Sequence, residues 1–190
     1  MSAGLAPEAR RAVEQFVRPL YAGLDGVQSF DRVERLEKRA ARLRGDDPRP
    51  LDGALLELLL LLHGAVDRLG SLAAGGRLDL FLKGLGLPEE LVRRARAGLP
   101  RLAEEPRGVE EELVHDALLL EGTGVAAAAA RLMAGGRKRL PLARVLALLD
   151  PGPPPERFRT PRGAALGAER RAAAAEWIQS LRTSVQREVE

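Results

Sequence analysis

The sequence has no cysteine, no asparagine and few aromatic side chains, with one Trp, one Tyr and four Phe in 190 residues. Without cysteine there is no disulfide framework, no thiolate metal site and no cysteine nucleophile, as expected of a protein of the reducing cytosol. The scarcity of aromatics means that a core must be assembled from Leu, Ala and Val, which favours packed helices over aromatic-rich sheets. The absence of asparagine and the excess of Arg over Lys are compatible with a GC-rich, thermophilic source. A long hydrophobic run is also missing. Ala54 to Ala65 is interrupted by Glu57, His63 and Gly64, and it is far shorter than the ~20 residues of a membrane span. Glu8, Arg10 and Arg11 arrive before any apolar signal-peptide core forms, so a cytoplasmic chain with no export signal and no membrane partner is expected.

Hydrophobic residues make up 45% of the chain and charged residues 30%, with both signs interspersed, which fits one compact domain over residues 1–190. The pI of about 9.9 invites a nucleic-acid reading. Thirty basic against 27 acidic residues is nevertheless close to balance. The clusters Arg93-Arg94-Arg96 and Arg137-Lys138-Arg139 have no aromatic residues interleaved for base stacking, so nucleic acid is not favoured as a partner.

Apolar periodicity predicts a helix from about Pro7 to Tyr21, and a second from Phe30 to just before Gly45 with Val33, Leu36, Ala40 and Leu43 as its buried stripe. Asp46 to Pro50 reads as a turn, because its two prolines remove donors and restrict their predecessors. Leu51 to Leu72 is apolar around most of its circumference, the pattern of a central helix, and His63 and Asp67 share one of its faces. Shorter helices are expected at Leu78–Lys83 and after Pro88. A long one from Val109 toward Met133 is interrupted at Gly122 and Gly124, and Leu140–Leu149 follows it. The proline-rich stretch from about 151 to 163 reads as a flexible loop before a last helix, Ala165–Val189. The expected fold is an all-α, single-domain helical bundle.

Only two histidines are present, each near a carboxylate: His63 with Asp67 one turn on, and His115 with Asp116 adjacent. Neighbours on a helix point about 100° apart, so His115 and Asp116 should not face one site. A single buried histidine is by itself more often structural than a ligand.

The order of segments carries more information. Ser29-Phe30-Asp31-Arg32-Val33 resembles a motif ending His-x-x-Arg-Val, and Leu61-Leu62-His63-Gly64 resembles a helix end reading Leu-Leu-His-Asp. Asp116 to Gly124 resembles Asp-Ala-Asp-x-Leu-Asp-x-x-Gly, and Phe81 to Glu90 is similar to a Phe-Leu, Gly-Leu-Pro-Glu-Glu connection. Gly135-Gly136 and the closing helix complete the series. Over roughly residues 25 to 188 the chain thus resembles the HD-domain proteins of the metal-dependent phosphohydrolase superfamily.

That resemblance implies a helical fold and a site in which a His, a His-Asp pair and a second Asp hold a divalent ion such as Mn, Ni, Mg or Fe against a phosphoester. Here Ser29 stands in the first His slot and Gly64 in the slot of the paired Asp, so His63 and Asp116 are the surviving ligand types. Leu118 replaces the second Asp of the last motif, and no histidine lies between Arg93 and Glu105 where relatives often have them. Asp67 would complete the set only if the helix turned it inward. Arg32, with Ser29, is the candidate to hold a small phosphorylated ligand. Two functions of different class follow: a binding or regulatory protein on a degraded HD site, or a phosphohydrolase with a rearranged one. No nucleophile elbow or phosphate-binding glycine loop competes with them.

Overall fold

The computed structural model describes residues 4–21, 30–45, 47–65 and 76–189, without the side chains at 65, 77, 79, 188 and 189. Among the described residues the regular structure is helical and no strand occurs, as the aliphatic composition predicts. Two compact units follow along the chain, Met1–His115 and Asp116–Glu190, and the division falls inside the helix Val109–Glu121.

The first unit contains α1 (Pro7–Tyr21), α2 (Asp31–Arg44), α3 (Gly53–Leu62), α4 (Arg77–Gly84), α5 (Glu89–Gly98) and the start of α6 (Val109–Glu121). α1 buries Val13, Val17 and Tyr21, and α2 buries Val33, Leu36, Ala40 and Leu43, the stripe that its periodicity predicts. α3 buries Leu55 and every residue from Leu58 to Leu62, because α1, α2 and α5 pack around it. Each such leucine is worth roughly 1.5–3 kcal/mol relative to exposure, so α3 is the helix on which this unit depends. Asp52 fixes its start: one carboxylate oxygen accepts the Leu55 N–H at 3.1 Å, and the other pairs with Arg94 at 2.8 Å. Arg10 joins three helices through Glu14, Glu37 and Glu57.

α3 is shorter than the expected Leu51–Leu72. Its α-helical part stops at Leu62 and tightens into a 3-10 turn over His63–Ala65, where Gly64 lowers helix propensity. The rest of the expected helix lies outside the described residues, and so do Asp67 and Ser29.

The second unit contains the end of α6, then α7 (Val125–Arg137), α8 (Leu142–Ala147) and α9 (Pro161–Val189). Ala128, Leu146, Leu149 and Ile178 form its core, with Trp177, Leu181 and Val185 packed against them. The interruption expected at Gly122 and Gly124 separates α6 from α7. Gly124, with φ of 103°, starts α7 in a conformation that favours glycine. The proline-rich stretch holds a 3-10 turn at Pro155–Arg157, buries Phe158 and Thr160, and is tied to α9 through Arg171 and the Gly152 carbonyl at 3.2 Å. α9 accordingly begins at Pro161, four positions before the expected start. Among the described residues no single helix is long and apolar enough to cross a membrane.

Candidate functional site

His63 follows α3 directly and is buried. Its Nδ1 lies 2.7 Å from the Leu60 carbonyl oxygen, which can only accept, so the neutral ring carries its proton on Nδ1 and its lone pair on Nε2. A histidine held this way by a backbone carbonyl has the tautomer that metal-ligating histidines use.

The next position has the opposite character. A β-carbon built on Gly64 would lie 2.7 Å from Cε1 and Cζ of Tyr21 and closer still to its hydroxyl. Tyr21 is buried at the end of α1, donates its O–H to the Leu61 carbonyl at 3.5 Å, and packs edge-on against Phe30 with ring centroids 5.7 Å apart. The volume into which an aspartate at 64 would project is therefore filled by the phenol. Arg32 is half-buried in the first turn of α2.

Asp116 is completely buried in the second unit, and its carboxylate accepts three hydrogen bonds. Oδ1 takes the Arg159 N–H at 2.8 Å, while Oδ2 takes the Thr160 N–H at 2.8 Å and the Thr160 hydroxyl at 2.6 Å. The Thr160 oxygen in turn accepts the Gly163 N–H at 3.0 Å, so Thr160 caps α9 ahead of Pro161. Gly163 makes this approach possible: a β-carbon there would lie 2.8 Å from Thr160 Oγ1 and 2.9 Å from Asp116 Cγ. His115, one residue earlier, directs Nδ1 at the Leu102 carbonyl of the first unit at 2.7 Å and clamps α6 onto the 3-10 segment Leu99–Ala103. The two adjacent side chains thus have separate partners, as their angular offset predicts.

Of the four ligand positions implied by the resemblance, the structure describes His63, Gly64 and Asp116. Gly64 has no donor and no room for one, and both oxygens of Asp116 are engaged in capping α9. Among the described residues no three His, Asp or Glu side chains converge as a cation site. Tyr21, Thr160 and Gly163 are the residues that motif reading misses. Only the pair Thr160-Pro161 carries a local signal, that of a helix start.

No family model matches the chain, and no curated protein matches it. Solved structures do. A protein from Lactobacillus plantarum is similar at TM-score 0.70 and 16% identity, over 96% of this chain and 99% of that one. An HD-superfamily hydrolase from Bacillus thuringiensis is similar at TM-score 0.68 and 18% identity, over 94% and 97% of the two chains. Bacillus subtilis YpgQ is similar at TM-score 0.66 and 16% identity, over 94% and 96%. The fold of this chain is that of the HD-superfamily hydrolases.

Proposed function

We propose that this chain is a non-catalytic binding or regulatory protein built on the HD fold, with the family's metal slot closed. The observation that carries this reading is the Tyr21 ring standing where a side chain at 64 would project. A metal site needs several converging ligands held by a supporting shell. In place of the paired carboxylate this chain has a glycine covered by a phenol, and its remaining Asp is spent on a helix cap. Arg32, together with Ser29, is the proposed contact for a small phosphorylated ligand, by its place in the first motif.

The His63 tautomer favours a second reading, a metal-dependent phosphohydrolase acting on a nucleotide or other phosphoester, with Asp67 taking over from Gly64. One experiment separates the two. Protein purified without chelator is analysed for metal, then assayed on a panel of phosphoesters with added Mn, Ni, Mg or Fe. The first reading expects neither stoichiometric metal nor turnover. Both appearing together, and both falling in a His63→Ala variant, would establish the second.

A further inference from the structure

The second unit carries a feature that the metal-slot reading does not use. α8 and the last turns of α9 enclose an open groove of about 760 Å³. Leu142, Ala143, Leu146 and Ala147 form one wall, and Arg182 and Val185 stand on the other. The α8 residues fall at i, i+1, i+4 and i+5, one helix face, and two of them are alanines that allow a neighbour to come close. Leu142 remains 52% exposed at one end of α8, and Leu148 remains 62% exposed at the other.

Cationic side chains flank this groove. From Gly122 to Leu149 the sequence has no Asp or Glu, but it has Arg131, Arg137, Lys138, Arg139 and Arg144. Lys138, Arg139 and Arg144 are exposed, and among the described residues none of the three pairs with a carboxylate. Arg139 precedes Leu142 by three residues, which places it within about 11 Å of the groove mouth. Arg182 bonds only to main-chain oxygens, of Leu146 at 2.9 Å and Leu149 at 3.3 Å, so its charge too meets no acid among the described residues. Elsewhere the chain pairs its arginines readily, as Arg10, Arg49, Arg94 and Arg101 show.

We infer that this groove docks an acidic amphipathic helix of a partner protein. Its walls are helices, so it offers no strand edge to an extended peptide, and recognition must come from side chains inserted at helical spacing. The concavity would leave a void against a flat bilayer, whereas leucines from a third helix would fill it. Glutamates flanking those leucines would meet Lys138, Arg139 and Arg144, which speeds and orients the encounter. The inference stands apart from the metal-slot reading, since it involves none of the same residues.

The test uses the full chain and a labelled helical peptide with leucine at i, i+3, i+4 and i+7 and glutamate on the flanks. A lysine-flanked version of the peptide is the control. Anisotropy gives affinity, and the fluorescence of Trp177, the one tryptophan of the chain, reports on the neighbouring core. The glutamate peptide is expected to bind saturably and at least about tenfold more tightly than the lysine peptide. Ala147→Phe, which fills the groove, and Arg144→Glu, which reverses its rim, should each weaken binding by about tenfold or more. Both positions are exposed, and circular dichroism confirms folding; Lys138→Glu replaces either variant that fails this check. Equal affinity for the two peptides, no saturable binding, or binding unchanged by the variants would overturn the proposal. So would preferential binding to phosphatidylglycerol vesicles, which assigns the face to lipid. Self-association of the parent that Ala147→Phe abolishes would assign it to a second copy and likewise overturn the proposal.

Discussion

Tyr21 and Gly64 form a pair in which the ring of one occupies the side-chain space of the other. The relationship explains how the first unit keeps a packed core beside a position where the resemblance implies a charged ligand. A buried aspartate at 64 without a metal would be an unpaired charge, which is costly in an apolar interior. Glycine plus an inserted phenol fills the side-chain space at 64 without a charge.

This pairing predicts strong coupling between the two positions. Gly64→Ala alone should destabilise the protein by about 1–3 kcal/mol, because the tyrosine is held by packing and by the Leu61 carbonyl. Tyr21→Ala alone should cost about 3–5 kcal/mol through the cavity it opens. In the Tyr21→Ala background, Gly64→Ala should cost little or nothing. Urea unfolding of the four proteins gives the cycle, and additive effects would show that the two residues do not compete for space.

In the second unit, Asp116 is expected to act as a structural cap. Thr160→Ala should lower stability by about 1–2 kcal/mol, the usual worth of an N-cap hydroxyl. Asp116→Ala strands the N–H groups of Arg159 and Thr160 and should cost about 2–3 kcal/mol or more. Gly163→Ala should also destabilise, since its methyl would meet the Asp116 carboxylate. Thermal denaturation checks all three, and a neutral Asp116→Ala would show that the carboxylate is not spent on α9.

The helical stripes were legible in the sequence because they are local. Val13 and Val17 on α1, and Val33, Leu36, Ala40 and Leu43 on α2, repeat at the helical period and are buried where that period places them. The end of α3 was hard to read, since leucines run on to Leu62 and the single glycine Gly64 is a weak mark of the tightening into the 3-10 turn. The start of α9 was signalled by Thr160-Pro161 but is masked by the proline-rich run before it. Motif order singled out His63 and Asp116 as candidates. The residues that decide what those two can do come from far along the chain: Tyr21 is forty positions from its acceptor Leu61, and Asp116 is 43 and 44 positions from its donors. Such contacts leave no periodic trace, and only the folded chain displays them.

A pH dependence follows from the turn between α2 and α3. The Arg49 guanidinium and its N–H hold the Asp47 carboxyl down at about 2, below its ordinary 3.8. The unfolded chain binds the proton more tightly, so this group stabilises the fold above about pH 4 and loses its contribution as pH falls toward 2. Asp47→Asn should therefore be less stable than the parent near neutrality, and the gap in urea midpoint should close through that acid window. Added salt should shrink the gap, because the pair is solvent-accessible. A gap that persists unchanged at the acid end would remove Arg49 as its cause.

Closure of the metal slot is tested most directly by calorimetric titration with manganese of two rebuilt proteins. One carries Ser29→His and Gly64→Asp with Tyr21 in place, and the other adds Tyr21→Ala. His63 joins the two introduced ligands, and ligands of one ion act as a unit. With Tyr21 retained, the aspartate at 64 has no room, so affinity should stay at the parent's level and stability should fall. With Tyr21→Ala, affinity should rise well above the parent's. Tight, stoichiometric manganese binding by the parent, or by the rebuilt protein with Tyr21 still present, would contradict a closed slot.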